Sequence, residues 1–143
     1  MVKKRIFIDS SVIIAALLSP KGGSFYILSN LYDSFIFQTN EYAVEEMKLI
    51  ISNKFKNNPG LMSKLFLLIG LSKMIILPHP DKDIVKRLQK YISKNDSPIL
   101  ASALLNSDYL ITLDNEFFKD DILERAQKQG VSILKPKDFI EGL

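Results

Sequence analysis

The sequence predicts an α/β protein with three layers, in which helices cover both faces of a central, mostly parallel sheet. Short runs of apolar and β-branched residues alternate along the chain with segments of helical periodicity. This alternation is typical of βαβ units, whose crossover helices lie on the faces of a parallel sheet. The length of 143 residues, with 47% hydrophobic and 24% charged residues, fits one folded domain over residues 1–143.

The first half of the chain contains two predicted strands and three predicted helices. In order, these are a strand at 5–8, helices at 12–18 and 24–32, a strand at 34–38, and a long helix that ends near 53. Pro20 and the pair Gly22-Gly23 end the first helix, because neither residue type sustains helical geometry. Thr39 or Asn40 is the predicted N-cap of the long helix.

The second half repeats the alternation. After a turn at 57–60, the predicted elements are a helix at 61–71, a strand at 74–77, helices at 83–92 and from the loop 94–98 to 106, a strand at 109–113, a helix at 121–129, a strand at 131–134 and a closing helix at 137–143. Pro98 suits the first turn of the helix that ends at 106. Gly130 ends the helix at 121–129.

The residue types exclude several kinds of active site. The chain has no Cys and one His, which removes disulfides, thiolate zinc sites and any site that needs two imidazoles. We interpret His79 as a solvated loop residue, so a metal ion would be held by oxygen ligands, as Mg²⁺ or Mn²⁺ is. A net charge of +3 is compatible with an anionic substrate. No apolar run approaches the length of a membrane span, and we expect a cytoplasmic protein that binds no membrane.

Acidic residues follow two of the predicted strands and precede one predicted helix. Asp9 and Asp114 come after the strands at 5–8 and 109–113, at the edge where parallel sheets bind ligands. Asp96 precedes a predicted helix. The alternative role for Asp9 and Asp96 is to cap a helix N-terminus, and the alternative role for Asp114 is to stabilise a turn. Asp33 and Asp108 precede strands, so we place them at the opposite edge and exclude them.

Glu46 is the acid whose position on its helix is least expected. At 100° per residue it shares a face with Ala43, Met47 and Ile50, whereas Glu45 points about 100° away. A carboxylate on an apolar stripe is costly unless it is paired or bound to a cation. We therefore predict a functional role for Glu46 and a solvated position for Glu45.

The predicted site contains four acids. They are Asp9, Glu46, Asp96 and Asp114. Gathered at one edge, they would repel one another unless a cation neutralised them. One or two Mg²⁺ or Mn²⁺ ions would do so and would activate water for attack on a phosphodiester. Ser10, Ser11 and Thr112 are candidates for hydroxyl donors that orient the acids.

The order of these pieces resembles the PIN-domain ribonucleases, especially the VapC-type toxins of toxin–antitoxin pairs. The pieces are FIDSSVIIAALLSP at 7–20, EEM at 45–47, DSPILA at 96–101 and DYLITLD at 108–114. By this resemblance Asp9 corresponds to the acid after the first strand, Glu46 to the helix acid, Asp96 to the acid that starts a helix, and Asp114 to the late-strand acid. Ser10-Ser11 stands where Thr-Asn is commoner, and Leu113 stands where Gly is usual.

The resemblance implies several properties as expectations. These are a compact α/β/α domain, Mg²⁺- or Mn²⁺-dependent endoribonuclease activity with RNA as the substrate, a homodimer or higher homo-oligomer, and an antitoxin protein as partner. The alternative from another class is a non-catalytic RNA- or protein-binding module on the same fold. A haloacid-dehalogenase-like phosphatase fits poorly, because Ser11 stands where its second Asp is required.

Overall fold

Five parallel strands form one central sheet in the computed structural model, which describes residues 2–143. The strands are β1 Arg5–Ile8, β2 Ile36–Asn40, β3 Ile75–Leu77, β4 Tyr109–Ile111 and β5 Ser132–Leu134. Their order across the sheet is β3-β2-β1-β4-β5, and every neighbouring pair is parallel. The predicted parallel sheet is confirmed.

Within the described residues, eight α-helices connect and cover the strands. They are α1 Ser10–Leu18, α2 Gly23–Asn30, α3 Glu41–Lys54, α4 Leu61–Leu71, α5 Lys82–Leu88, α6 Ser97–Asn106, α7 Asp120–Lys128 and α8 Pro136–Glu141. A 3₁₀ turn at Asn115–Phe118, which the sequence patterns did not predict, links β4 to α7.

Alternate residues of β1 point into two separate cores. Ile6 and Ile8 belong to one core, which α1, α2, α4 and α8 complete, and Phe7 belongs to the other, which α6 and α7 complete. Helix α3 contributes to both, with Ala43 in the second core and Met47 in the first. Buried on both faces, the sheet is the middle of three layers, as predicted.

Strand β1 lies at the centre, and the chain leaves it in both directions across the sheet. It pairs with β2 on one side and with β4 on the other, where Ile8 is opposite Ile111. The strand order reverses here, and in open α/β sheets such a switch point opens a crevice beyond the carboxyl ends of the strands. The residues that follow Ile8 and Ile111 border that crevice.

Some element boundaries differ from the prediction. Strand β2 lies two residues later, because Phe35 is still bonded to the Leu31 carbonyl in the turn after α2, and Thr39 and Asn40 extend the strand. Helix α1 starts two residues earlier, since the Asp9 carbonyl accepts hydrogen bonds from the amides of Val12 and Ile13.

Helix α5 ends at Leu88, four residues before the predicted end, in a run of short turns. Within residues 2–143, no single helix is long and apolar enough to cross a membrane. Helices α1 and α2 meet that length and hydropathy only when joined, and they are bent by 98° at their break.

Candidate active site

The four predicted acids line one cavity at the carboxyl edge of the sheet. This cavity, which we call the acid cavity, has a volume of about 530 Å³. Asp9 and Asp114 follow the central strands β1 and β4, Glu46 projects from α3, and Asp96 immediately precedes α6. The structure thus brings together residues that are up to 105 positions apart, and the roles predicted for them remain predictions.

Asp9 is the most enclosed of these acids, with 5% of its surface exposed. Its Oδ2 atom accepts hydrogen bonds from the Thr112 hydroxyl at 2.7 Å and from the Ser11 hydroxyl at 2.9 Å. Oδ1 lies 3.4 Å from the Ser10 hydroxyl and has no short side-chain hydrogen bond. One carboxylate oxygen is therefore held by the protein, and the other is available to a ligand.

The two hydroxyls that hold Asp9 are themselves oriented by the chain that follows β4. The amide of Asp114 donates to Thr112 Oγ1 at 3.0 Å, and the amide of Leu113 donates to Ser11 Oγ at 3.1 Å. Each hydroxyl accepts from the backbone, so its proton is directed to Asp9. Burial raises the pKa of Asp9, and the hydroxyls oppose that effect because they stabilise the ionised form.

Glu46 is half-buried at the wall of the acid cavity. The Ser10 hydroxyl donates to its Oε1 atom at 2.6 Å, so Ser10 joins the start of α1 to the middle of α3. The buried stripe of α3 is Ala43, Met47 and Ile51, whereas Ile50 lines the cavity beside Glu46. The predicted inward face is therefore corrected: Ile51, and not Ile50, lies on the buried face with Ala43 and Met47. Glu46 lies at the border of that face and lines the acid cavity.

Asp96 has the clearest electrostatic signature. Burial and the negative charges of Asp114 and Asp9 raise its pKa to about 6, although a hydrogen bond from Ser93 to Oδ2 at 2.9 Å acts in the opposite direction. A carboxyl that resists ionisation beside two other carboxylates indicates a concentration of negative charge that favours a bound cation.

Asp114 has one oxygen committed to the backbone. Its Oδ1 atom accepts from the amide of Glu116 at 3.0 Å and so caps the 3₁₀ turn. The turn role considered for this residue is therefore present, together with a place in the acid cavity. The side chains of Asp9 and Asp96 occupy N-cap positions but make no capping hydrogen bond, so capping does not explain those two acids.

The acids that were excluded lie elsewhere. Asp33 is exposed and pairs with Lys73 at 3.1 Å, and Asp108 accepts from the amide of Arg5 at the opposite edge of the sheet. His79 is exposed as predicted, but it contacts Glu45 at 3.3 Å rather than solvent alone. Glu45 points away from the acid cavity.

The donor set fits a hard divalent cation. All four acids offer carboxylate oxygens, and Mg²⁺ is usually bound through one or two carboxylates together with water and substrate phosphate. Among residues 2–143, no three acidic or histidine side chains are close enough together to coordinate one metal ion. Binding through one or two carboxylates, completed by water, is the arrangement that this geometry allows.

Several residues at the site were not identified from the sequence. Ser93 holds Asp96, and Lys54 and Asn95 line the acid cavity. Tyr42 lies close by, and burial, with the charges of Glu46 and Asp96, raises the pKa of its phenol. No periodic pattern marks these residues, because they come from a helix end and a loop whose positions depend on the tertiary fold.

Comparisons with known proteins bear on the fold. No family model and no curated protein matches the chain. Solved structures that resemble it include VapBC2 from Rickettsia felis bound to a DNA fragment from its promoter, PAE2754 from Pyrobaculum aerophilum, and FitAcB from Neisseria gonorrhoeae. The chain has a PIN-like fold.

The extent of these matches supports that statement. The TM-scores are 0.68, 0.67 and 0.59, at 17%, 15% and 24% sequence identity respectively. The matches cover 92%, 95% and 92% of this chain, and 98%, 86% and 98% of the matched chains. The predicted three-layer PIN-like fold is therefore confirmed over nearly the whole sequence.

Proposed function

We propose that the chain is a divalent-metal-dependent endoribonuclease, the toxin component of a toxin–antitoxin pair. The observation that carries the proposal is the meeting of Asp9, Glu46, Asp96 and Asp114 around one cavity at the switch point of a PIN-like sheet. Hydrolysis at such a site needs neither a cysteine nor a histidine, in agreement with the composition.

The protein's own groups prepare the carboxylates for this role. Ser11 and Thr112 fix Oδ2 of Asp9, Ser10 fixes Oε1 of Glu46, and Ser93 fixes Oδ2 of Asp96. Oδ1 of Asp9 and Oε2 of Glu46 are left for a ligand. One or two bound Mg²⁺ or Mn²⁺ ions would activate water and stabilise the leaving oxygen of the phosphodiester.

The partners that we propose follow from the same resemblance. VapBC2 and FitAcB, two of the solved structures with this fold, support an antitoxin protein as partner. We further propose an RNA substrate, a homodimer or higher homo-oligomer, and a cytoplasmic location.

The test is cleavage of a pool of structured and single-stranded RNA in the presence of Mg²⁺, Mn²⁺ or EDTA. Wild type is compared with Asp9→Asn and Asp96→Asn, and with Asp33→Asn as a matched control at the opposite edge of the sheet. We expect cleavage that EDTA abolishes, that falls by about 10²-fold or more in both site variants, and that the control retains.

Two outcomes would contradict the proposal. If the folded wild type cleaves no RNA with either metal, the chain is a non-catalytic binding module on a PIN-like fold. If the site variants cleave as well as wild type, the activity belongs to a contaminating nuclease.

A further inference from the structure

A second cavity of about 340 Å³ opens beside the acid cavity and shares a wall with it. Residues Glu46, Ile50, Lys54 and Asn95 line both cavities. The second cavity, which we call the Tyr42 cavity, continues along α3 to Tyr42. The two cavities therefore form one groove that leads away from the four acids.

The Tyr42 cavity has the lining that a nucleobase requires. Tyr42 provides an aromatic ring, and Leu49, whose surface is 63% exposed, provides an apolar surface. Asn53 and Asn95 add side-chain amides, which can both donate and accept hydrogen bonds. Unpaired bases are recognised by this combination of stacking and amide hydrogen bonds.

Lys54 stands where the two cavities meet. It is in the last turn of α3 and forms no ion pair with any other residue of the described range 2–143. Glu46 on the shared wall and Glu45 in the Tyr42 cavity both carry carboxylates, so a phosphate would be repelled from the groove except beside Lys54. A phosphate at Lys54 and a base at Tyr42 satisfy both charge and shape.

We propose that the Tyr42 cavity is a nucleobase subsite for single-stranded RNA, with Tyr42 stacking on a base next to the cleaved phosphodiester and Lys54 binding the adjoining phosphate. The inference rests on the proposed function and adds to it the form of the substrate. A base within a duplex is already stacked and cannot enter the cavity, so the subsite selects unpaired RNA.

Equilibrium binding of labelled RNA tests the subsite. Fluorescence anisotropy is measured with single-stranded homopolymers of about six nucleotides, in Mg²⁺ and in an Asp9→Asn background that blocks the proposed cleavage. The variants are Tyr42→Leu, Tyr42→Phe and Lys54→Gln. The matched controls are Tyr26→Leu, at an exposed tyrosine of α2, and Lys48→Gln, at an exposed lysine of α3.

We expect Tyr42→Leu to weaken binding about tenfold and Tyr42→Phe, which keeps the ring, to remain within about twofold. Lys54→Gln should weaken binding and reduce the slope of log K against log salt by about 0.7, the effect of losing one phosphate contact. A duplex of the same length should bind at least about tenfold more weakly than the single strand. Circular dichroism identifies any variant that fails to fold, and Tyr42→Phe and Lys54→Gln replace no buried group.

Each contrary result has a defined meaning. If Tyr42→Leu and Lys54→Gln bind as the controls do, or if no RNA binds, the subsite is wrong. Cleavage by wild type in that case leaves the proposed nuclease standing. If binding depends on Tyr42 and Lys54 but wild type cleaves no RNA, the proposed subsite is supported and the proposed nuclease activity is refuted.

Discussion

The hydroxyl of Thr112 lies 2.7 Å from Oδ2 of Asp9, and it joins two residues that are 103 positions apart in the sequence. Thr112 is fully buried and also accepts the amide hydrogen of Asp114. The contact therefore fixes the first acid of the site to the segment after β4 that carries the last one.

Replacing this hydroxyl with a methyl group should damage both activity and stability. We expect Thr112→Val to lower single-turnover cleavage by about 10- to 100-fold, because Asp9 loses a donor that orients it. We also expect a decrease in the free energy of unfolding of about 1–3 kcal/mol, since the partly buried amide of Asp114 loses its acceptor.

Urea unfolding and cleavage of a labelled RNA measure these two effects. Thr112→Ser keeps the hydroxyl and should retain most of the activity. Thr39→Val is the matched control, because the buried Thr39 Oγ1 has no hydrogen-bond partner among residues 2–143, so its loss should cost little stability. Equal losses in Thr112→Val and Thr39→Val would remove the role assigned to the Thr112 hydroxyl.

The two neighbouring glutamates of α3 should differ sharply. Glu46→Gln removes a charge from the acid cavity and should abolish most cleavage, whereas Glu45→Gln changes an exposed residue beside His79 and should leave most of it. Initial rates at saturating Mg²⁺ or Mn²⁺ provide the comparison. Comparable losses in both variants would contradict the assignment of Glu46 to the site.

Asp96 should make the stability of the metal-free protein dependent on pH. Its pKa is about 6 in the folded chain and near 3.8 in an unfolded one, so the folded state binds the proton more tightly. The stability contributed by Asp96 is then greatest below pH 4 and is lost as pH rises to about 6. Relative to wild type, Asp96→Asn should become more stable between pH 4 and 7 in EDTA.

Urea unfolding at several pH values, in EDTA and in Mg²⁺, measures this dependence. Mg²⁺ should raise the stability of wild type most at pH 7, where the acids are ionised, and should affect Asp96→Asn less. Parallel pH profiles for wild type and Asp96→Asn would show that Asp96 titrates as it does in an unfolded chain.

Two glycines should respond to alanine in opposite ways. Gly130 ends α7 with a φ of +76°, where a Cβ atom is strained, so Gly130→Ala should lower the free energy of unfolding by about 1 kcal/mol. Gly70 lies within α4, and a Cβ atom there meets no neighbour within 4 Å, so Gly70→Ala should raise it by about 0.5–1 kcal/mol. Thermal unfolding distinguishes the two, and a stabilised Gly130→Ala would refute the conformational argument.

The sequence predicted most of the fold because local patterns encode it. Strand β1 and helix α4 lie where apolar periodicity placed them, and the acids after β1 and β4 could be assigned to one edge once the strands were taken as parallel. The start of β2 was predicted too early because aromatic residues such as Phe35 are common in strands. Phe35 instead belongs to a turn, in which its amide donates to the Leu31 carbonyl.

The site could be predicted only in part for a similar reason. Asp9 and Asp114 are marked by strand ends, and Glu46 by its helix face. Ser93 and Lys54 acquire their roles from residues distant in the sequence, since a serine in a loop and a lysine at a helix end are common in any chain. Their assignment required the positions of α3 and α6 relative to the sheet.

The central position of β1 also governs when the site can exist during synthesis. Asp9 leaves the ribosome 103 residues before Thr112, which follows the partner strand β4. Parallel pairing between such distant segments forms late, because a long loop must close before any contact stabilises it. A nascent chain of this protein therefore holds its first acid before the rest of the acid cavity, which is complete only once β4 has paired with β1.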